Sequence, residues 1–271
     1  MSAFEPVETL ETVNVLRDGA AVIVEMNRPE VLNAWNPQVG QDLVHALRSC
    51  HGDDVRAVMV TGAGRAFSAG ADLNAFAEGA KTPDGRPDLE FELHARYHPI
   101  MREIRRLEKP VLGAVDGPAA GIGMSCALSC DLVTVSERAT LNHAFTKIGL
   151  GPDGGASLFL VTRVGWTRAA AIMFEGRKVG AEEALAIGLV NRVVPTEGFR
   201  AAAEQQLREL AAGPTAAYSA VKRTLNAQVL VQFEQLLALE AEEQQRMSET
   251  EDFVGAATAF MRREEPTYVG R

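Results

Sequence analysis

Short apolar blocks broken by glycine and proline fill the first two-thirds of the chain, and helical periods take over beyond it. Val13-Asn-Val-Leu16 and Ala21-Val-Ile-Val-Glu-Met26, with Arg17-Asp-Gly19 between them, predict a β-hairpin. Asn27-Arg-Pro-Glu-Val-Leu-Asn-Ala34 ends the second strand, because Pro29 has no N–H to give a ladder. Val39, Leu43, Ala46 and Leu47 share one face of a predicted helix from Pro37 to Ser49. Val55–Val60 reads as a strand feeding the glycine loop Thr61-Gly-Ala-Gly-Arg-Ala-Phe-Ser-Ala-Gly-Ala-Asp-Leu73. Glu78 to Asp88, rich in Gly, Pro and charge, is expected to be the most mobile surface segment of this half, and Leu89 to Leu107 is helical with mixed charge.

Val111-Leu-Gly-Ala-Val115 is a further strand, followed by Asp116-Gly-Pro-Ala-Ala-Gly-Ile-Gly-Met-Ser125. Glycines at such a place let a strand turn sharply into a helix, because a residue without Cβ tolerates positive φ and close backbone approach. Small apolar residues through Leu128 predict a helix buried in the core, and Leu132-Val-Thr-Val135 a third strand of this kind. The order strand, glycine loop, helix thus occurs from Val55 and from Val111, with a less regular echo from Leu132 and no fixed period. An α/β architecture of similar stacked turns follows. Ala156–Val164 and Gly165–Phe174 are helical, and Ala181–Pro195 reads as a short helix, a glycine stop and a strand. Beyond Gly198 helices are expected at Phe199–Leu210, Thr215–Leu225, Val229–Met247 and Asp252–Arg262. A boundary near Pro195 divides an α/β core, 1–195, from a helical region, 196–271, that would pack on its own core or on a neighbouring subunit.

The chain of 271 residues is long enough to bury a sizeable core as one large or two unequal domains. A formal charge of -9 argues against general affinity for nucleic acid or anionic membranes, though local arginines or a helix N-terminus could still hold an anionic ligand. Cys50, Cys126 and Cys130 form no CxxC or Cys/His cluster, and with no apolar leader or span the expected location is the cytoplasm.

Nucleotide motifs fail on spacing: Gly62-Ala-Gly64 lacks the rest of GxGxxG, and no GxxxxGK[ST] occurs. No GxSxG elbow supports serine-histidine-aspartate chemistry. His143, beside Leu141 and Ala144, reads as a packed, hydrogen-bonded histidine rather than a base; His94 and His98 have no third partner for a metal and read as surface residues; Cys126 and Cys130 read as core. Two glycine loops, each after an apolar strand, can instead aim backbone N–H groups at one oxygen. Lys147-Ile-Gly-Leu-Gly-Pro-Asp-Gly-Gly155 adds a carboxylate, Asp153, among residues too small to cover it; the competing reading of Asp153 is a helix cap.

Asn27–Ala34, Ala66-Phe-Ser-Ala-Gly-Ala-Asp-Leu73, Val115–Gly123 and Cys130-Asp131, in this order, make the chain resemble the enoyl-CoA hydratase/isomerase family, the crotonase superfamily, over nearly its whole length. The resemblance implies a spiral of repeated ββα turns with a C-terminal helical trimerisation region, and a homotrimer or dimer of trimers. It implies an acyl-CoA thioester as substrate, with no separate cofactor and no metal. The N–H groups of Ala71 and Ile122 would form the oxyanion hole for the thioester carbonyl. Arg28 would lie near the CoA phosphates, and Ser68, Ala69, Ala71, Asp72 and Leu73 along the coenzyme; Lys147, Arg262 and Arg263 would contribute.

Hydratases of the family resemble one another in carrying two glutamates, and the matching positions here are Ser125 and Phe145. Neither side chain can replace a carboxylate in water addition. Asp153 matches instead the single carboxylate of Δ3,Δ2-enoyl-CoA isomerases and of the oxepin-CoA-forming isomerase of phenylacetate degradation, in a pocket that Phe145, Leu150 and Phe159 would keep apolar. The implied function is thioester isomerisation; the alternatives are hydratase-like or aryl-CoA dehalogenase-like chemistry, or a noncatalytic acyl-CoA-binding homologue. The tryptophan and histidine that accompany the dehalogenase nucleophile have no match, since Trp35 and Trp166 lie elsewhere.

Overall fold

The computed structural model describes residues 4–73 and 79–271. Ten strands and a set of helices form two sheets among these residues. The larger sheet runs β1 (Glu5–Thr9), β2 (Val13–Asp18), β3 (Ala21–Met26), β4 (Ala57–Gly62), β5 (Val111–Val115), β7 (Leu132–Ser136), β10 (Arg192–Val194). From β3 onward each neighbour is parallel. The expected hairpin is present, with Asp18 paired to Ala21 and Gly19 at positive φ in the turn.

Parallel strands buried on both faces explain why these blocks are continuously apolar. Val22, Val24, Val58, Val60, Val111 and Val115 face the main core with α1 (Pro37–Ser49). Ala21, Ile23, Ala57, Met59, Leu112 and Ala114 point the other way, onto Phe199, Ala203, Leu207 and Ala211 of a helix, Phe199–Ala212, that lies beyond Pro195.

The smaller sheet, β6 (Pro118–Ala120), β8 (Thr140–Asn142), β9 (Lys178–Gly180), was not legible in the sequence. Its edge is extended by bridges from Ser68 to Ala119 and from Trp35 to Ala71. Each turn of the chain therefore places a segment in the large sheet, then one at the small sheet, then a helix. β5, β6 and α4 (Ile122–Ser129) make one such ββα turn; β7, β8 and α5 (Ala156–Glu175) make the next. Gly165 interrupts α5 with φ 75° and ψ 164°, dividing it where the sequence suggests two helical pieces.

The helix expected over Leu89–Leu107 is present in three parts, α2 (Leu89–Glu92), a π-type turn over Leu93–Tyr97, and α3 (His98–Arg106). Pro99 supplies the reason: it cannot donate to Ala95, and the ladder widens so that the His98 N–H reaches Leu93 O. The segment expected to be mobile, Glu78–Asp88, lies partly outside the described residues; within it Thr82, Asp84 and Arg86 close a turn through side-chain hydrogen bonds. After α6 (Ala181–Ala186) and α7 (Phe199–Ala212) come α8 (Thr215–Val229), α9 (Phe233–Ser248) and α10 (Glu251–Arg262). No helix among the described residues is long and apolar enough to cross a membrane.

Candidate active site

Backbone pairing brings the two glycine loops together. Ser68 N–H donates to Pro118 O at 3.1 Å, and Ala120 N–H to Ser68 O at 2.9 Å. Gly70, at φ +92°, lets the loops touch: a Cβ there would stand 2.8 Å from Ala120 O. Gly121, at φ +50°, makes the sharp entry into α4, as the sequence suggests. Ile122 is the first residue of that helix, so its N–H has no intrahelical acceptor. Among the described residues neither Ala71 N–H nor Ile122 N–H has a backbone acceptor, and both residues line one cavity of about 230 Å³.

That cavity is walled largely by apolar side chains, among them Leu73, Leu89, Leu93, Phe145, Ile148 and Leu150; Asp153 and Gln244 line it with Glu92, Tyr97, Asn142 and Lys147. Asp153 is 7% exposed, and its Oδ1 has no hydrogen-bond partner among the described residues. Burial first, and the nearby Glu240 carboxylate second, push its titration well above the ordinary 3.8.

Of the two positions matched to the hydratase glutamates, Phe145 lines the cavity and Ser125 does not, and neither can do a carboxylate's work. The Ser125 hydroxyl donates to Asp153 O at 2.8 Å, and Phe145 packs edge-on against His143 with ring centroids 4.8 Å apart. Asp153 is not the helix cap either. Gly155 is the N-cap of α5, and Glu240 satisfies the helix end, its Oε2 accepting from Gly155 N–H at 2.7 Å and its Oε1 from Ser157 N–H at 3.1 Å. Glu240 and Gln244, one turn apart on α9, both escaped the sequence reading. Their signal was a stripe, Phe233, Leu237, Glu240, Ala241, Gln244 and Ser248, all buried.

Of the residues matched to the coenzyme, Ala69, Ala71, Leu73 and Lys147 line the cavity. Ser68 does not: it is fully buried, its hydroxyl donates to Asn33 O, and its N–H and C=O are spent on the loop pairing. Asp72 and Arg28 lie outside the lining, where the guanidinium donates to Ala34 O at 2.5 Å and stands 3.4 Å from Asp72 Oδ2. Arg262 and Arg263 are exposed at the end of α10. Phe159 is behind the cavity wall, tilted against Phe233 at 5.7 Å, rather than in it.

Two histidine readings need correction. His98 is fully buried, not a surface residue, and burial lowers its pKa to about 3. His143 is packed as expected, but neither ring nitrogen has a hydrogen-bond partner among the described residues, and its pKa falls to about 4. Cys126 and Cys130 are in the core. No group of three metal-ligating side chains occurs among the described residues.

A profile of the family described as enoyl-CoA hydratase/isomerase matches residues 17–271. The chain belongs to the enoyl-CoA hydratase/isomerase family, and its spiral of ββα turns is the crotonase fold. It is 38% identical to a probable enoyl-CoA hydratase of Rhodobacter capsulatus over 94% of this chain and 96% of that one. It is 34% identical to the 1,2-epoxyphenylacetyl-CoA isomerase of Escherichia coli over 91% and 94% of the two chains. A crystal structure of an enoyl-CoA hydratase from Mycobacterium avium subsp. paratuberculosis superposes with a TM-score of 0.86 at 34% identity, covering 96% of this chain and all of that one.

Proposed function

We propose that the protein is an acyl-CoA thioester isomerase of the Δ3,Δ2-enoyl-CoA or oxepin-CoA-forming type, working through one carboxylate. The observation that carries this reading is the state of Asp153: a buried carboxyl whose Oδ1 has no partner among the described residues, lining a largely apolar cavity that Ala71 and Ile122, whose N–H groups have no backbone acceptor among those residues, also line. Ser125, tied to a backbone carbonyl, and Phe145 supply no second carboxylate for water addition, and Glu92, the other carboxylate lining the cavity, is engaged by Arg96 Nη1 at 2.8 Å and by Ala80 N–H.

For a 3-enoyl thioester the steps balance with this one group. The thioester carbonyl oxygen accepts from Ala71 and Ile122 N–H. Ionised Asp153 takes a proton from C2; the C2–H electrons become the new C1–C2 bond of a dienolate, and the charge moves to the oxygen held by the two N–H donors. Asp153, now neutral, returns the proton to C4, and the double bond settles between C2 and C3. A raised pKa suits a group that must first accept and then give back the same proton.

A hydratase-like reading draws its support from the relatives described as hydratases. It would need water activated by Asp153 alone. Arg28 near the CoA phosphates, and assembly as a homotrimer or dimer of trimers, belong to the same proposal; the exposed rings of Trp166 and Phe174 support burial against another subunit.

The test is conversion of a 3-enoyl-CoA to its conjugated 2-enoyl isomer, followed by the thioester-conjugation absorbance, for wild type and Asp153→Asn. Fast conversion lost in the variant is the expected result. No conversion by folded wild-type protein would end this reading, and hydration of a 2-enoyl-CoA by the same sample would favour the hydratase one.

A further inference from the structure

Gln244 is nearly fully buried on α9, and its amide faces the cavity. Its orientation is set by a neighbour that can only accept: Nε2 lies 2.7 Å from Gly151 O, so the amino side of the amide points at the loop. The same Nε2 lies 3.4 Å from Asp153 Oδ2, a long contact but the one side-chain donor that the described residues offer this carboxyl. Four residues earlier on the same helix, Glu240 holds Gly155 and Ser157. One face of α9 thus grips the loop on both sides of Asp153, carbonyl on one side and amide donors on the other.

From this geometry we infer that Gln244 is the positioning residue of the site: it fixes the 151–153 backbone and aims the Asp153 carboxyl into the cavity through Oδ2, leaving Oδ1 free for the substrate's proton. The inference rests on the reading of Asp153 as the acid/base group. Glu92, 2.8 Å from Arg96 Nη1, and Lys147 also line the cavity; among the described residues the titratable groups whose charges act on Asp153 are Glu240, from α9, and Tyr97, from the π-type turn. Neither donates a hydrogen bond to the carboxyl: the Tyr97 hydroxyl donates to Trp35 O, and Glu240 is occupied at the helix end. Among the described residues Gln244 is therefore the group whose removal leaves an ionised Asp153 without a side-chain donor, and that loss makes the anion harder to form.

Gln244→Met keeps an unbranched side chain of similar length and removes both functions. The pH dependence of kcat/KM in 3-enoyl-CoA isomerisation is measured for wild type, Gln244→Met and Gln244→Glu, with the titration of the Asp153 carboxyl carbon followed by NMR in labelled protein. Gln244→Met is expected to lose about 10- to 100-fold in kcat with KM changed little, as misplacement of a reacting group does. Its acid limb and its Asp153 titration should both move up by about one pH unit or more, the loss of a hydrogen bond to a charged group. Gln244→Glu adds a like charge and should move both further still.

A Gln244→Met enzyme with the wild-type kcat, acid limb and Asp153 titration would overturn the inference while leaving the isomerase reading intact. If wild type turns over no 3-enoyl thioester, the functional reading fails, and the NMR titrations alone decide whether Gln244 governs the carboxyl. Should Gln244→Met fail to fold, the Gln244→Glu titration carries the decision: an unshifted Asp153 rejects the inference.

Discussion

Asp153 and Glu240 are two buried carboxyls with divided tasks: Glu240 accepts from Gly155 and Ser157 and closes the helix end, and Asp153, two residues before Gly155, keeps Oδ1 free in the cavity. A loop aspartate before a helix ordinarily caps it. Here the cap comes from a helix more than eighty residues away in sequence, 85 for Gly155. That substitution is what leaves Asp153 available for chemistry.

Glu240→Ala should therefore damage stability before it damages chemistry. The variant leaves the Gly155 and Ser157 N–H groups buried without their acceptor, at a cost of about 1–3 kcal/mol. Urea unfolding would read the loss. Removing the Glu240 charge also lowers the Asp153 titration, since that charge is one of the two causes raising it.

Replacing Asp153 by Asn should stabilise the fold at neutral pH. Burial and Glu240 raise the folded Asp153 pKa well above 3.8, so the folded protein keeps a proton that the unfolded chain releases. Stability linked to this group is then fully present below about pH 4 and is lost as the pH rises through the folded value. Asn resembles the neutral acid and has no such loss. Wild type and variant should unfold at equal urea concentrations near pH 3.5 and diverge above it, the variant gaining about 1.4 kcal/mol for each unit by which the pKa is raised. An unchanged difference across that range would mean that Asp153 ionises in the fold as readily as in solution.

The parts of the fold that bury continuous apolar runs were legible before any coordinates. Val111–Val115 and the helix Pro37–Ser49 have the bounds that their patterns suggest. β6 and β8 were not, because three residues such as Pro118-Ala-Ala120 are too few to show a period; they exist as strands because each pairs with the other across the spiral. β1, exposed along most of its length, has no buried face to write into the sequence. In the site, glycines announced the loop turns and Asp153 announced itself as a carboxylate in small surroundings. Gln244 and Glu240 sit in Leu239-Glu-Ala-Glu-Glu-Gln-Gln-Arg246, where polarity suggests a solvated helix and burial is decided by what the helix crosses. Leu239, apolar by residue type, is 50% exposed on the same helix.

Gly70→Ala should strike the oxyanion hole through the backbone. Alanine at φ +92° is strained, and its Cβ would meet Ala120 O at 2.8 Å, between the two loops that carry Ala71 and Ile122. Displacing one donor from such a hole costs about 10²- to 10³-fold in kcat. Gly180→Ala is the control, since Gly180 has ordinary extended backbone and open space around it. Isomerase assays on both variants, with melting curves to separate misplacement from unfolding, distinguish a positional effect from a general one.

Asp131 organises a part-buried charge cluster after α4, and its loss should damage stability. Its Oδ1 is 2.9 Å from Arg105 Nη1, its Oδ2 is 2.8 Å from Lys222 Nζ, and Oδ2 also accepts from Val111 N–H at 2.8 Å. Asp131→Ala leaves the buried Lys222 and the part-buried Arg105 without their carboxylate, a loss of about 3–5 kcal/mol by urea unfolding. Lys222→Met should cost less, because Arg105 still pairs with Asp131. The two variants also differ in pH response. Burial lowers the Lys222 pKa from 10.5 to about 8 despite Asp131, so between those values the unfolded chain binds the proton that the folded protein has released. Stability from this group therefore rises with pH from about 8 to 10.5. Lys222→Met removes that rise, and unfolding curves at pH 8 and at pH 10 should show the variant losing ground to wild type at the higher value; a gap that stays constant would mean that Lys222 remains charged in its buried pair.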